Sequence, residues 1–313
     1  MQVMASPDKC AVLIAGPTAS GKSALALALA EKIGGAIVNT DSMQVYRHLR
    51  IITARPTPQD EARVPHLLYG HVDESENYSV GRYCRDAAAA LADVVGTGRI
   101  PVFVGGTGLY FKSLLTGLAA IPATPAEIRD RFRRRLEAEG IEGLYRELQA
   151  RDPAAAGRLM PRDRSRILRA LEVAEATGRT ISDWHRDGMP PVIDPQRAVK
   201  IFLDVGREQL ARNIEKRFAA MLAAGALDEV RVLDARHLPE TLPAMKAHGV
   251  PWLRRHLHGE ISIEAAAAGA IMDTRRYTKR QVTWFRNQMK GWDWVRPDAA
   301  ADFVLRSLSR PPG

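Results

Sequence analysis

Residues 11–15, Ala-Val-Leu-Ile-Ala, form an uninterrupted apolar run, the pattern of a strand buried on both faces. Residues 24–30, rich in Ala and Leu, read as a helix that starts soon after it. Short apolar runs at 36–38, 100–104 and 201–205 read as further strands, and 83–95, 109–115 and 209–223 as helices. Strands alternating with helices predict an α/β fold around a parallel sheet. From 118 to 199 the strand-like runs vanish and helical stretches at 126–139, 143–150 and 164–177 take over. Pro122, Pro125, Pro190, Pro191 and Pro195 punctuate both ends of that region, as suits an inserted all-helical domain. The expected organisation is therefore a core of residues 1–117 and 200–313, interrupted by a helical insertion at 118–199.

Composition adds three points. A chain of 313 residues that is 46% apolar can bury a sizeable core. Its two cysteines, Cys10 and Cys84, make no disulfide framework, and no apolar run is long enough to span a bilayer. Residues 1–9 lack the apolar stretch of a signal peptide, so a cytoplasmic protein is expected. A net charge of +9 suits a polyanionic partner, but general basicity gives the same number.

The segment between the first strand and the first helix is Gly16-Pro17-Thr18-Ala19-Ser20-Gly21-Lys22-Ser23. This is G-x-x-x-x-G-K-[ST] in the strand–loop–helix context of a phosphate-binding loop, so a P-loop NTPase-like core is expected. Glycine lets successive amides approach a phosphate, the helix adds its positive end, and Lys22 supplies a cation. The Ser23 hydroxyl suits Mg²⁺. All eight residues, Gly16 to Ser23, are candidates for binding a diphosphate or triphosphate. The second strand ends at Asn39-Thr40-Asp41-Ser42, and acids at strand ends in such sheets face the ligand. Asp41 is equally well placed to cap a helix near 43–46. The third strand ends in Gly105-Gly106-Thr107-Gly108 instead of the metal-binding acid of ordinary P-loop NTPases, which argues against plain ATP hydrolysis.

Two stretches are strongly basic. The insertion carries Arg129, Arg131, Arg133, Arg134 and Arg135, then Arg164, Arg166 and Arg169. Residues 274–290 interleave Arg275, Arg276, Lys279, Arg280, Arg286 and Lys290 with Tyr277, Trp284 and Phe285. Both suit a nucleic-acid backbone. Both also suit a solvated helix face, the second with an aromatic inner side.

In their order along the chain, these motifs resemble the tRNA dimethylallyltransferases. To those above are added Thr53-Ala54-Arg55-Pro56, Pro65-His66-Leu67, Arg169-Ala170-Leu171-Glu172-Val173, Arg217-Phe218-Ala219-Ala220-Met221-Leu222 and Lys279-Arg280-Gln281-Val282-Thr283-Trp284-Phe285-Arg286. The resemblance implies that dimethylallyl diphosphate, with Mg²⁺, occupies the phosphate loop. Its dimethylallyl group would pass to N6 of the adenosine just 3′ of the anticodon (position 37), in tRNAs reading codons that begin with U. The resemblance makes Asp41 the base, Thr107 a phosphate-contacting catalytic residue and Arg217 a diphosphate-binding one. It assigns contacts with the anticodon stem-loop to Asp41, Ser42, Met43, Gln44, Thr107, Arg129, Ser165, Arg166, Ile167, Leu168, Arg169, Lys246, Ala247, His248 and Gly249. After Gly249 the chain departs from the family pattern with Val250-Pro251, which weakens any carry-over there. A monomer with no membrane contact is expected. A small-molecule kinase, an adenylate isopentenyltransferase acting on free AMP and a non-catalytic P-loop RNA switch are the competing readings.

Overall fold

The computed structural model describes residues 11–188 and 190–309; Cys10 and residues 1–9 lie outside the described residues. Six strands, β1 (Ala11–Ala15), β2 (Gly35–Asn39), β3 (His66–Leu67), β4 (Ile100–Gly105), β5 (Ala198–Leu203) and β6 (Asp293–Val295), form one parallel sheet. Their order across it is β3-β2-β4-β1-β5-β6. Alternate residues of each strand enter different apolar clusters. Val12, Ile14, Val102, Val104 and Ile201 belong to one, Leu13, Phe103 and Phe202 to the other. Helices thus cover both faces, and the central strands are apolar at nearly every position, Lys200 in β5 and Asn39 at the end of β2 being polar.

The register aligns Ala15 with Gly105 and Asn39 with Val104. Consequently the loops that leave β1, β2 and β4 emerge side by side at the carboxyl edge of the sheet. Beyond the strands, Thr40 donates to the Val104 carbonyl (2.8 Å) and Thr107 to the Thr40 carbonyl (3.3 Å). The strands expected at 36–38 and 100–104 are present; the one expected at 201–205 runs from 198 to 203, because Lys200 interrupts its apolar run and the strand ends before Asp204. Two were not foreseen: His66–Leu67 and Asp293–Val295 are too short to leave an apolar signature.

The chain divides into two compact units, one of the described residues up to Thr116 and from Val192 onward, the other Gly117–Pro191. Residues 192–199 fold with the first unit, because Ile193 is buried in its core and its amide bonds the Leu114 carbonyl at 3.0 Å. The second unit is all helical, packed around Phe132, Leu144, Leu148, Ile167 and Leu171. The helices expected at 126–139 and 143–150 are continuous as Ala126–Arg151, bent at Gly140, whose φ of 74° interrupts the helical geometry.

Candidate active site

The phosphate loop closes on itself through Ser20 N–H to the Pro17 carbonyl (3.2 Å), with Ala19 and Gly21 at φ of 65° and 88°. The helix Lys22–Ile33 begins with no side-chain cap and no acid in its first turn. Its first amides are therefore free to meet an anion. A groove of about 770 Å³ runs past residues 19–24, Arg55, His66, Lys216 and Arg217. The buried Ser20 hydroxyl beside it has no hydrogen-bond partner among the described residues.

On the other side of Arg217 lies a smaller cavity of about 330 Å³, lined by Thr18, Asp41, Ser42, Met43, His248, Tyr277 and Arg280 among others. Arg217 borders both spaces. Its one hydrogen bond is a long contact to the Thr53 carbonyl (3.5 Å), and among the described residues it has no ion pair. Burial lowers its pKa, and the charge of Asp41 opposes that shift. Lys22 follows the same pattern: burial lowers it to about 8, Asp41 raises it and Arg217 lowers it further. Two partly desolvated cations facing the one carboxylate of Asp41 leave an excess of positive charge, which suits a polyanion.

Asp41 is held by its neighbours. The wholly buried Asn39 accepts from the Asp41 amide (2.9 Å) and donates to its carbonyl (3.0 Å). One Asp41 carboxylate oxygen accepts from Met43 N–H at 3.0 Å. No helix forms at 43–46, so the capping role entertained for Asp41 becomes an Asx turn. Its second oxygen is available to the cavity. Thr107 Oγ1 accepts from Ser42 N–H (3.0 Å) and lies 3.3 Å from Ser42 Oγ, tying the β2 and β4 loops together.

The remaining candidates are scattered. Gln44 spends its amide N–H groups on the Thr53 and Ala54 carbonyls (2.9 and 2.8 Å). Lys246 is exposed and His248 half-buried against Tyr277, but Ala247 and Gly249 are buried, leaving only their backbone for a ligand. Val250 is buried too, and Pro251 sits in the first turn of the helix Val250–Leu257. In the helical unit Arg129, Ser165 and Arg166 are exposed, while Ile167 lies wholly in the core and Leu168 packs on it. Arg169 is half-buried and donates to Thr124 Oγ1 at 2.7 Å.

Much of the basic texture is paired. Arg131 and Arg151 share Glu175, Arg135 joins Glu139 to Glu147, and Arg275 meets Glu215. Among the described residues Arg129, Arg134 and Arg164 form no such pair. In the helix Ile263–Gln288, Phe285 is core and Trp284 packs on it edge-on, whereas Tyr277 and Arg280 face the cavity.

Ser23 presents an exposed hydroxyl to the groove beside the cradle, an oxygen donor compatible with a divalent cation that keeps most of its waters. The potential ligand trio His48, Asp73 and Glu74 lines neither space, and Arg236 already pairs with both of its acids.

Three residues shape the site with little or no local signal in the sequence. Asn39 shows in the sequence only as a polar residue closing an apolar strand. Glu229 accepts from the amides of Arg50, Ile51 and Ile52 (2.8–2.9 Å), shaping the loop that meets Arg217 at Thr53. Asn213 donates to the Ala19 carbonyl at 2.9 Å.

Comparison with known proteins gives the family. The family model described as IPP transferase matches residues 44–288, and one described as isopentenyl transferase matches 10–66. The chain is 62% identical to a tRNA dimethylallyltransferase of Nitrobacter hamburgensis over 290 residues, covering 93% of this chain and 92% of the relative. One from Rhodopseudomonas palustris is 60% identical, covering 95% and 94%. Among solved structures, a tRNA isopentenylpyrophosphate transferase of Bacillus halodurans aligns with a TM-score of 0.68 at 31% identity, covering 96% of each chain. A eukaryotic dimethylallyltransferase acting on tRNA aligns with 0.77 at 29%, covering 88% of this chain and 70% of that one.

Proposed function

The chain belongs to the IPP transferase family, and from that premise we propose that it is a tRNA dimethylallyltransferase that prenylates N6 of adenosine 37, 3′ to the anticodon, in tRNAs reading codons that begin with U. The observation that carries the reading is Arg217 standing between the Asp41 cavity and the phosphate-loop groove. A diphosphate in the groove and a base in the cavity would then meet across it.

In this reading the C–O bond between the allylic C1 and the diphosphate breaks as the adenine amine attacks C1. The pyrophosphate leaves with the bonding electron pair, and Asp41 accepts the amine proton. The free loop amides, Lys22 and Arg217 meet the charge that grows on the leaving oxygens. Lys22 and Arg217, already partly desolvated, need little reorganisation as that charge develops. The cavity is large enough for one extruded base, and bases in RNA loops are already partly unstacked. Thr107 keeps Ser42, and with it the Asp41 turn, in register with the β4 loop. Ser23 would help to hold a Mg²⁺ ion, which when bound would neutralise part of the diphosphate charge.

The anticodon stem-loop is the proposed partner, with Arg129, Ser165, Arg166, Lys246 and His248 offering side chains to it. The enzyme is read as a cytoplasmic monomer; no helix of the described residues is long and apolar enough to cross a membrane. The test is to incubate labelled dimethylallyl diphosphate with undermodified tRNA and digest to nucleosides. Label in N6-(dimethylallyl)adenosine supports the reading. Label on free AMP but not on tRNA, or ADP release from ATP without prenyl transfer, overturns it.

A further inference from the structure

Gln281 lies on the helix Ile263–Gln288, 5% exposed, between the phosphate loop and the β4 loop. Its Oε1 accepts from Thr18 N–H (3.0 Å) and from the Thr18 hydroxyl (3.3 Å). Its Nε2 donates to the Gly106 carbonyl at 2.9 Å. Thr18 belongs to the cradle and also lines the base cavity, whereas Gly106 precedes the residue that holds Ser42, so the bridge ties the phosphate loop to the loop behind the Asp41 turn. The approach is close: a Cβ on Gly106 would lie 2.3 Å from Nε2. The same helix lines the base cavity with Tyr277 and Arg280.

We propose that Gln281 is a positioning residue for the transfer, setting the phosphate loop at a fixed distance from the loop that carries Thr107. The inference rests on the reading of the site as a prenyl-transfer centre. The chemistry selects the residue type. Thr18 N–H can only donate and the Gly106 carbonyl can only accept, so the bridge must be an acceptor at one end and a donor at the other. A neutral amide is both. Hydrocarbon side chains are neither, and an ionised carboxylate offers acceptors only, putting like partial charges together at Gly106. Because the bridge joins the phosphate loop to the loop that holds the Asp41 turn, it bears on the alignment of cradle and carboxylate more than on the binding of either substrate. Misplacing reacting groups by about 1 Å costs on the order of 10²-fold in rate.

The experiment compares the wild type with Gln281→Met and Gln281→Glu. It reads kcat, KM for dimethylallyl diphosphate, equilibrium binding of pyrophosphate and of an unmodified anticodon stem-loop RNA, and thermal melting. Gln281→Met is expected to lower kcat by about tenfold or more while both binding constants stay within about threefold. A protonated Glu restores the donor–acceptor pair, so the Gln281→Glu to wild-type ratio of kcat should climb as pH falls. Burial raises the pH at which that happens. Lys22, Asp41, Arg217, Tyr277 and Arg280 stand around the bridge in both proteins, and dividing by the wild type removes what they contribute to both. If Gln281→Met fails to fold, Thr18→Val, which removes only the hydroxyl contact, should lower kcat by a smaller factor with binding kept. Unchanged kcat in the folded variants, a flat pH ratio, or a loss of pyrophosphate affinity that accounts for the whole defect overturns the inference. A wild type with no prenyl transfer sinks the functional reading itself, whereas an active wild type with equally active variants sinks only the role of Gln281.

Discussion

Asn39 grips the backbone of Asp41 from both sides, accepting from its N–H at 2.9 Å and donating to its carbonyl at 3.0 Å. A third bond, from Asn39 Nδ2 to the Leu68 carbonyl at 3.0 Å, anchors the clamp. The turn that aims the Asp41 carboxylate is therefore built by a side chain that touches no ligand. Asn39→Ala leaves the half-buried Asp41 and Leu68 carbonyls and the Asp41 amide without that partner, at up to roughly 1–3 kcal/mol for a group that water does not reach. The expected outcome is a lower melting temperature together with lower kcat. Normal kcat in the folded variant would separate the clamp from catalysis.

Asp41→Ala removes the proposed proton acceptor, and general-base removal costs about 10²–10⁴-fold. Turnover should fall by that order while stem-loop RNA affinity changes little, as measured by single-turnover rates and by RNA titration. Near-normal turnover would reject the base assignment.

Lys22, with a pKa near 8, is largely a cation at neutral pH and loses its charge as pH rises through that value. The kcat/KM for dimethylallyl diphosphate should decline above about pH 8, falling at most tenfold per pH unit. Stability moves the opposite way. The unfolded lysine titrates near 10.5, so between 8 and 10.5 the unfolded chain holds more protons and the contribution of this group to stability rises with pH. Its penalty is complete below 8. Lys22→Met should therefore melt above the wild type at pH 7 in the absence of ligand, with the gap closing toward pH 10.5. A gap independent of pH would contradict the burial account.

Arg129 and Arg166 are exposed on the helical unit, Arg166 only loosely paired to Asp163 at 3.5 Å. Their joint replacement by Ala should weaken stem-loop binding and reduce the slope of log K against log salt by about 1–2. An unchanged slope would remove this face from the RNA interface. Arg131 and Arg135, already bound to glutamates, should matter less in the same assay.

Phe132 is 1% exposed in the core of the helical unit, with the Arg131 and Arg135 guanidinium groups over its ring. Phe132→Ala should cost about 3–5 kcal/mol in that unit. Limited proteolysis should then cut within 117–191, while pyrophosphate binding to the other unit survives. Concerted loss of both would mean that the units do not unfold separately.

Much of this protein could be read before any coordinates. The apolar runs specified most of the central strands, because a strand covered on both faces is apolar at nearly every position; Lys200 hid the start of β5. The phosphate loop announced itself because its glycine spacing and its place between strand and helix are local properties. The resemblance across the chain brought Asp41, Thr107 and Arg217 to notice together.

What the chain order hid are contacts whose partners lie far apart in sequence. Whether an arginine-rich stretch stays free for a polyanion depends on which acids fold against it, and Glu175 and Glu147 claim several of those arginines. Likewise nothing near Thr18 points to Gln281, which is 263 residues away. Strand patterns, turns and the phosphate loop follow from sterics and hydration acting over a few residues, and the sequence by itself determined them. The pairing of charges, the clamp on Asp41 and the bridge from cradle to β4 loop were decided only by tertiary structure, because a buried polar atom takes its partner from whatever the completed fold brings beside it.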